Sequence, residues 1–284
     1  MDANSDRPDL VFREVIEAKT PGTLLVDLDL GSVRVRTHDE PCVVLEATAS
    51  GWARDRIRFW VEGGVEGDGD ELQLFGEIDD WVPDARVGTK IRLSAVVPTS
   101  FGLDLHTGAG SVKVRGIGGP VAADTGAGIV EVDGARGPVL VRTGGGAARV
   151  RNVDGDVRAR TSAGLVDVSD IAGLVEARTK GGGIRVRGAR QRVDARSAAG
   201  PISVGFLDRP SGSLEVAAGP IDVRIARRCG ADLDARCAFG GVHIDPTLGF
   251  EGRRRSSSAR GRLAGGGDTL RLRAAAGGIR LRHA

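Results

Sequence analysis

The segment VLVRTGGGAARVRNVDGD (residues 139–156) is followed without a gap by VRARTSAGLVDVSDIAGL (157–174) and VEARTKGGGIRVRGARQR (175–192). Each is 18 residues long, starts on valine, carries Arg-Thr at positions 4 and 5, and has glycine at position 8 and valine at position 12. Outward from this core the landmark glycine recurs at Gly110, Gly128, Gly146, Gly164, Gly182 and Gly200. A period of this size marks a stacked repeat, because one unit cannot bury its own apolar face and must lean on a copy of itself.

Within the repeat, position 1 holds Leu103, Val121, Val139, Val157, Val175 and Val193, and position 3 holds Leu105, Ala123, Val141, Ala159, Ala177 and Ala195. Position 10 is Val112, Val130, Ala148, Val166, Ile184 and Ile202, and position 12 is valine from Val114 to Val204. Positions 2, 4, 11 and 13 are mostly polar or charged. This period-two alternation predicts two strands per coil, each with one face buried. Corners such as Thr125-Gly-Ala-Gly128 and Gly116-Ile-Gly-Gly-Pro120 supply the bends between them. The fold class is therefore all-β, a single-domain β-solenoid of about 18 residues per coil.

Looser copies surround Gly31 (Leu24, Val26, Val33, Val35), Gly219, Gly240 and Gly277, so ten coils are traceable from residue 24 to residue 284, after a lead-in over 1–23. At the usual strand spacing, ten rungs predict a rod on the order of 45 to 50 Å long. Two stretches break the coil. Residues 52–98 form an aromatic-rich insertion with three longer strand-like runs, holding Trp52, Phe59, Trp60, Phe75 and Trp81. Residues 251–267 read as a basic, flexible loop before the last coil, Thr269 to Arg282, which then ends on an uncovered strand edge.

A formal net charge of +2 leaves no global pull toward nucleic acid or an anionic membrane, and no apolar run is long enough to span a bilayer. The first twenty residues are polar with no hydrophobic signal segment, which predicts a soluble, cytoplasmic protein. Cys42, Cys229 and Cys237 are too few and too unevenly placed for a disulfide framework. Cys229 and Cys237 lack a histidine partner for zinc, the glycines match neither phosphate-binding signature, and Gly265-Gly-Gly-Asp268 is half of a calcium motif that no other corner repeats. Neither a metal nor a cofactor is expected. His243 and Asp245, two apart on one strand face, are the thin basis for any catalytic reading.

Position 4 reads His106, Asp124, then Arg142, Arg160, Arg178 and Arg196, with Arg236 and Arg273 in the equivalent place further on. Arginines on successive rungs stand about 4.8 Å apart and repel their neighbours by ~1 kcal/mol even in water. Glu176 and Asp194, at position 2 of the same face, are placed to neutralise the row. The alternative is a rail for repeated carboxylate or phosphate contacts. That face carries no aromatics, which argues against single-stranded nucleic acid. Trp52, Trp60 and Trp81 read either as a cover for the open end of the solenoid or as a docking patch for a partner.

The Thr-Gly-Ala-Gly corners, together with the closing segment GRLAGGGDTLRLR (261–273) and Gly277-Gly-Ile-Arg-Leu281, resemble the bacterial putative-adhesin family of β-strand-repeat domains, whose function is not defined. The resemblance runs over roughly residues 20–284 and implies a β-helix-like solenoid, often exported or tethered to the cell envelope, with no catalytic residues to carry over. The expected function is a non-enzymatic binding or scaffold module engaging an acidic polymer or protein through the arginine ladder. Self-association through the last coil and a carbohydrate-active β-helix enzyme are the alternatives.

Overall fold

The structure, a computed structural model, describes residues 9–63, 70–79, 90–227 and 229–284. The chain divides into two compact units, Met1–Gly137 and Pro138–Ala284. Apart from 3-10 turns at Gly51–Asp55 and Pro246–Leu248, the regular structure among the described residues is all strand. No described helix is long and apolar enough to cross a membrane.

The first unit contains β1 (Asp9–Glu17), β2 (Gly22–Leu28), β3 (Ser32–His38), β4 (Cys42–Ser50), β5 (Ile57–Gly63), β6 (Asp70–Ile78), β7 (Lys90–Pro98), β8 (Gly102–Ala109), β9 (Val112–Ile117), β10 (Val121–Ala127) and β11 (Val130–Ala135). One sheet runs β1-β4-β7-β3-β9-β11 and the other β10-β8-β2-β6-β5. The early copy stacks directly on the regular repeat, with Leu24 beside Leu103 and Val33 beside Val112, although 79 residues separate each pair. The intervening segment widens both sheets: β6 joins β2 in parallel, β7 joins β3 in parallel, and β5 closes back on β6 antiparallel. The lead-in is itself a strand, since β1 pairs antiparallel with β4. Ala49, Ala53, Ile57 and Ile91 pack with Val11, Leu30, Phe59 and Ile78, so residues from both sheets fill this part of the core.

The second unit contains β12 (Val139–Thr143), β13 (Ala148–Val153), β14 (Val157–Thr161), β15 (Val166–Ile171), β16 (Val175–Gly181), β17 (Ile184–Ala189), β18 (Val193–Ala199), β19 (Ile202–Phe206), β20 (Gly212–Ala218), β21 (Ile221–Ile225), β22 (Ala231–Phe239), β23 (Val242–Ile244), β24 (Phe250–Arg255), β25 (Ser258–Leu263), β26 (Thr269–Ala276) and β27 (Ile279–His283). Parallel pairing is in register with the period: Val139 meets Val157, Val157 meets Val175, and Val150 meets Val168. Val150, Val157, Val166, Val168 and Ala177 have no exposed surface. Burying each valine contributes about 1.5 kcal/mol or more, and identical neighbours along the row leave little room for voids.

Two further positions close the coil. Position 5 is buried although polar: Thr125, Thr161, Thr179 and Ser197 each donate a side-chain hydrogen bond to the landmark glycine carbonyl of the coil before, at 2.9, 2.9, 3.4 and 3.0 Å. Position 14 is left-handed, held by Gly116, Gly134, Asn152, Asp170 and Gly188 at φ between 55° and 78°. These are the residue types for which that conformation costs least. The local reversal turns position 15 inward, so Ile117, Ala135, Val153, Ile171 and Ala189 are buried beside position 12.

The C-terminal part departs from the linear order. β26 lies between β20 and β22, and β27 between β21 and β23, each paired in parallel on both sides. The expected uncovered edge at Thr269–Arg282 is therefore wrong, because this coil's backbone groups are already spent on two neighbours. The segment 251–267 is also not a loop. It folds as the antiparallel hairpin β24–β25, which docks along β22 and is pinned where Ser256 and Ser257 carbonyls accept from Val242 N and Cys237 N. The margin strands here are β23, only three residues long, and β24, which carries exposed Arg253, Arg254 and Arg255. Short and charged edges resist pairing with another chain.

Candidate functional site

The predicted arginine row exists on the outer face of the second unit. Arg142 stands beside Arg160, Arg160 beside Arg178, and Arg178 beside Arg196, on β12, β14, β16 and β18. Alternation along each strand sends position 4 outward because positions 3 and 5 are buried. Glu176 is the hub: its Oε1 takes Arg160 Nη2 at 3.0 Å and Arg178 Nη2 at 2.9 Å, while its Oε2 lies 3.5 Å from Arg158 Nε. Asp194 does not join the row. It pairs with Arg192 at 2.8 Å and accepts from Ser213 N at 3.0 Å, and Glu215 takes Arg196 instead.

The neutralisation is uneven. Arg142 shares its strand face with Leu140 and makes no ion pair among the described residues. Across β12, β14 and β16, Arg158, Arg160 and Arg178 thus share the single carboxylate of Glu176, and Arg142 continues the row beside Arg160 without one. Arg160 is half-buried, and its Nε has no hydrogen-bond partner. Further along, intercalation brings Arg236 beside Arg273. Arg273 binds Asp234 at 2.6 Å, with Arg236 at 3.4 Å from the same carboxylate. Burial pushes the Asp234 carboxyl up, but these arginines outweigh it and hold the group below its ordinary value.

A second basic cluster lies on the outer face of the first unit, where Arg34 and Arg36 on β3 lie alongside Lys113 and Arg115 on β9. Together with Val35 they line a cavity of about 130 Å³. Lys113 reaches Glu131 at 3.6 Å. The signal was present in the sequence: all four occupy positions 11 and 13 of their coils, but 79 residues separate the two pairs.

On the opposite sheet of this unit, Trp60, Phe75, Asp27 and His106 form a row across β5, β6, β2 and β8. Trp60 stacks on Phe75 with ring centroids 5.3 Å apart, and its Nε1 donates to Glu62 at 3.0 Å. Phe75, Gln73, Asp27, Asp104 and His106 line a cavity of about 170 Å³. Trp52 is half-buried in the 3-10 turn Gly51–Asp55, and Trp81 lies outside the described residues.

His243 does not engage Asp245 as a catalytic pair would. The Asp245 carboxylate caps the turn Pro246–Leu248, accepting from Thr247 N at 2.9 Å and Thr247 Oγ1 at 2.6 Å, and these bonds hold its pKa down. Cys229 and Cys237 each have a raised thiol pKa, chiefly from burial, and donate to the Leu207 and Gly277 carbonyls. One group of potential metal ligands lies elsewhere among the described residues. His38, Glu40 and Cys42, in the turn between β3 and β4, bring one ligand atom each within 4.8 Å of one another. Chain proximity in His-x-Glu-x-Cys was the available signal.

No family model matches the chain, and no curated protein matches it. Among the solved structures that resemble it are two described as adhesion proteins. One is a putative cell adhesion protein from Clostridium sporogenes, 12% identical, with a TM-score of 0.35, covering 98% of this chain and 100% of its own. The other is a putative adhesin from Bacteroides fragilis, 15% identical, with a TM-score of 0.47, covering 96% and 97%. The functional reading rests on this chain's own residues.

Proposed function

We propose that the protein is a non-enzymatic binding module whose arginine face takes an acidic polymer. The observation that carries this is four arginines, Arg142, Arg158, Arg160 and Arg178, on three in-register strands that bear one carboxylate, Glu176. A sheet holds these guanidinium groups at fixed spacing, so little ordering entropy is lost when a chain of carboxylates or sulfates lies across them. The exposed guanidinium groups of Arg142 and Arg178 are the donors available to it, and Glu176 alone offsets the positive charge of these three strands.

The probes are polyglutamate and a sulfated polysaccharide, with affinity measured by calorimetry across a salt series. Binding is expected to weaken steeply with salt, as counterions compete for the same groups. The double variant Arg142→Glu/Arg178→Glu is expected to lose it while keeping the parental circular dichroism, since both side chains point to solvent. Equal binding by parent and variant, or no binding by the parent at low salt, would overturn the reading.

A further inference from the structure

We propose that His38, Glu40 and Cys42 bind a thiophilic divalent transition-metal ion of the zinc type. The three residues come from one turn: β3 ends at His38 and β4 begins at Cys42, with Asp39, Glu40 and Pro41 between. The backbone of that turn is held from outside. The His38 carbonyl accepts from Thr99 N at 3.1 Å and from Thr99 Oγ1 at 3.3 Å, and the Pro41 carbonyl accepts from Ala18 N at 3.0 Å. The ligand atoms are already near one another, with Cys42 Sγ 3.9 Å from Glu40 Oε2 and all three within 4.8 Å.

Zinc bonds of about 2.3 Å to sulfur and about 2.0 to 2.2 Å to nitrogen and oxygen put tetrahedral ligands roughly 3.3 to 3.7 Å apart. Side-chain rotation alone can close the remaining gap. His38 Nε2 lies 2.6 Å from the Cys42 carbonyl, which can only accept, so this nitrogen carries the proton and Nδ1 keeps the lone pair for a metal. One sulfur, one imidazole and one carboxylate favour zinc-like ions over magnesium or calcium, which prefer oxygen alone. Three protein ligands leave a fourth position for water.

Binding of a divalent ion at this turn releases the Cys42 thiol proton to solvent.

The test uses cobalt(II) as a spectroscopic probe and zinc as its competitor on the full chain. One equivalent of cobalt is expected to give a thiolate-to-metal charge-transfer band that zinc abolishes. Cys42→Ser should remove the band and His38→Gln should weaken cobalt binding at least tenfold, while Cys229→Ser/Cys237→Ser keeps the parental spectrum. Circular dichroism checks that each variant is folded. The proposal is overturned if the parent shows no charge-transfer band, if Cys42→Ser retains it, or if zinc binds no tighter than about 1 mM.

Discussion

The hydroxyl of Thr161 donates to the carbonyl of Gly146 at 2.9 Å and accepts from the N–H of Gly164 at 3.1 Å. One buried side chain therefore serves the corner of its own coil and ties it to the corner of the coil before. Thr161→Val keeps the shape but leaves a carbonyl and an N–H unpaired in a dry interior. It is expected to cost about 1 to 3 kcal/mol, measured by urea denaturation, with Thr161→Ser close to the parent.

The landmark glycine answers to the same stacking. A Cβ on Gly164 would sit 1.8 Å from the Gly146 carbonyl oxygen, whereas one on Gly145 would meet nothing within 4 Å. Gly164→Ala is expected to destabilise by roughly 3 kcal/mol or more and Gly145→Ala to change stability by less than about 0.5 kcal/mol. Equal denaturation midpoints for the two variants would refute the close-approach argument.

Val150 and Arg149 are adjacent but face opposite ways, the first with no exposed surface. Val150→Asp buries a charge with no partner and should abolish cooperative unfolding, at a cost of several kcal/mol. Arg149→Asp should leave the thermal transition within a few degrees of the parent.

Because β26 and β27 are intercalated, removing residues 269–284 takes strands from inside two sheets. In a linear repeat array, losing a terminal coil is tolerated. Here the truncated second unit is expected to lose protection of β22 and β23 from hydrogen exchange, because both would be left beside a gap.

Asp234 titrates below the ordinary carboxylate range in the folded chain, through Arg273 and Arg236. A carboxyl depressed by folding contributes stability above its unfolded pKa and loses it as pH falls through the folded one. Asp234→Asn should therefore cost on the order of 1 kcal/mol at neutral pH, and the gap between variant and parent should close on acidification below about pH 4. A difference that stays constant from neutral to strongly acidic pH would rule out this pairing.

Where sequence reading worked, it did so because one variable repeats. Valine at positions 1 and 12 with charge at 2, 4, 11 and 13 can face only one way on a pleated strand, and a slip of one residue would reverse it. The arginine row followed from the same arithmetic. Its partners did not: Glu176 and Asp194 share a position, yet Glu176 gathers three arginines while Asp194 turns to Arg192 and Ser213 N. Side-chain choice among donors only a few ångströms apart depends on geometry that periodicity does not encode. The left-handed position 14 was visible as Gly, Gly, Asn, Asp, Gly, a set that shares only its tolerance of positive φ.

The 18-residue period by itself determined the solenoid, the inward and outward faces and the register of consecutive coils, since these depend on local alternation and on identical neighbours. Tertiary structure alone decided the order of the last coils, the meeting of Arg34 and Arg36 with Lys113 and Arg115, and the hairpin at β24–β25. Every copy offers the same apolar positions to either neighbour, so the pattern accepts a coil inserted between two others as readily as one added at the end. Which arrangement forms is set by the whole chain, through the long excursion from Ala231 to Asp268 that returns to fill the gap it left.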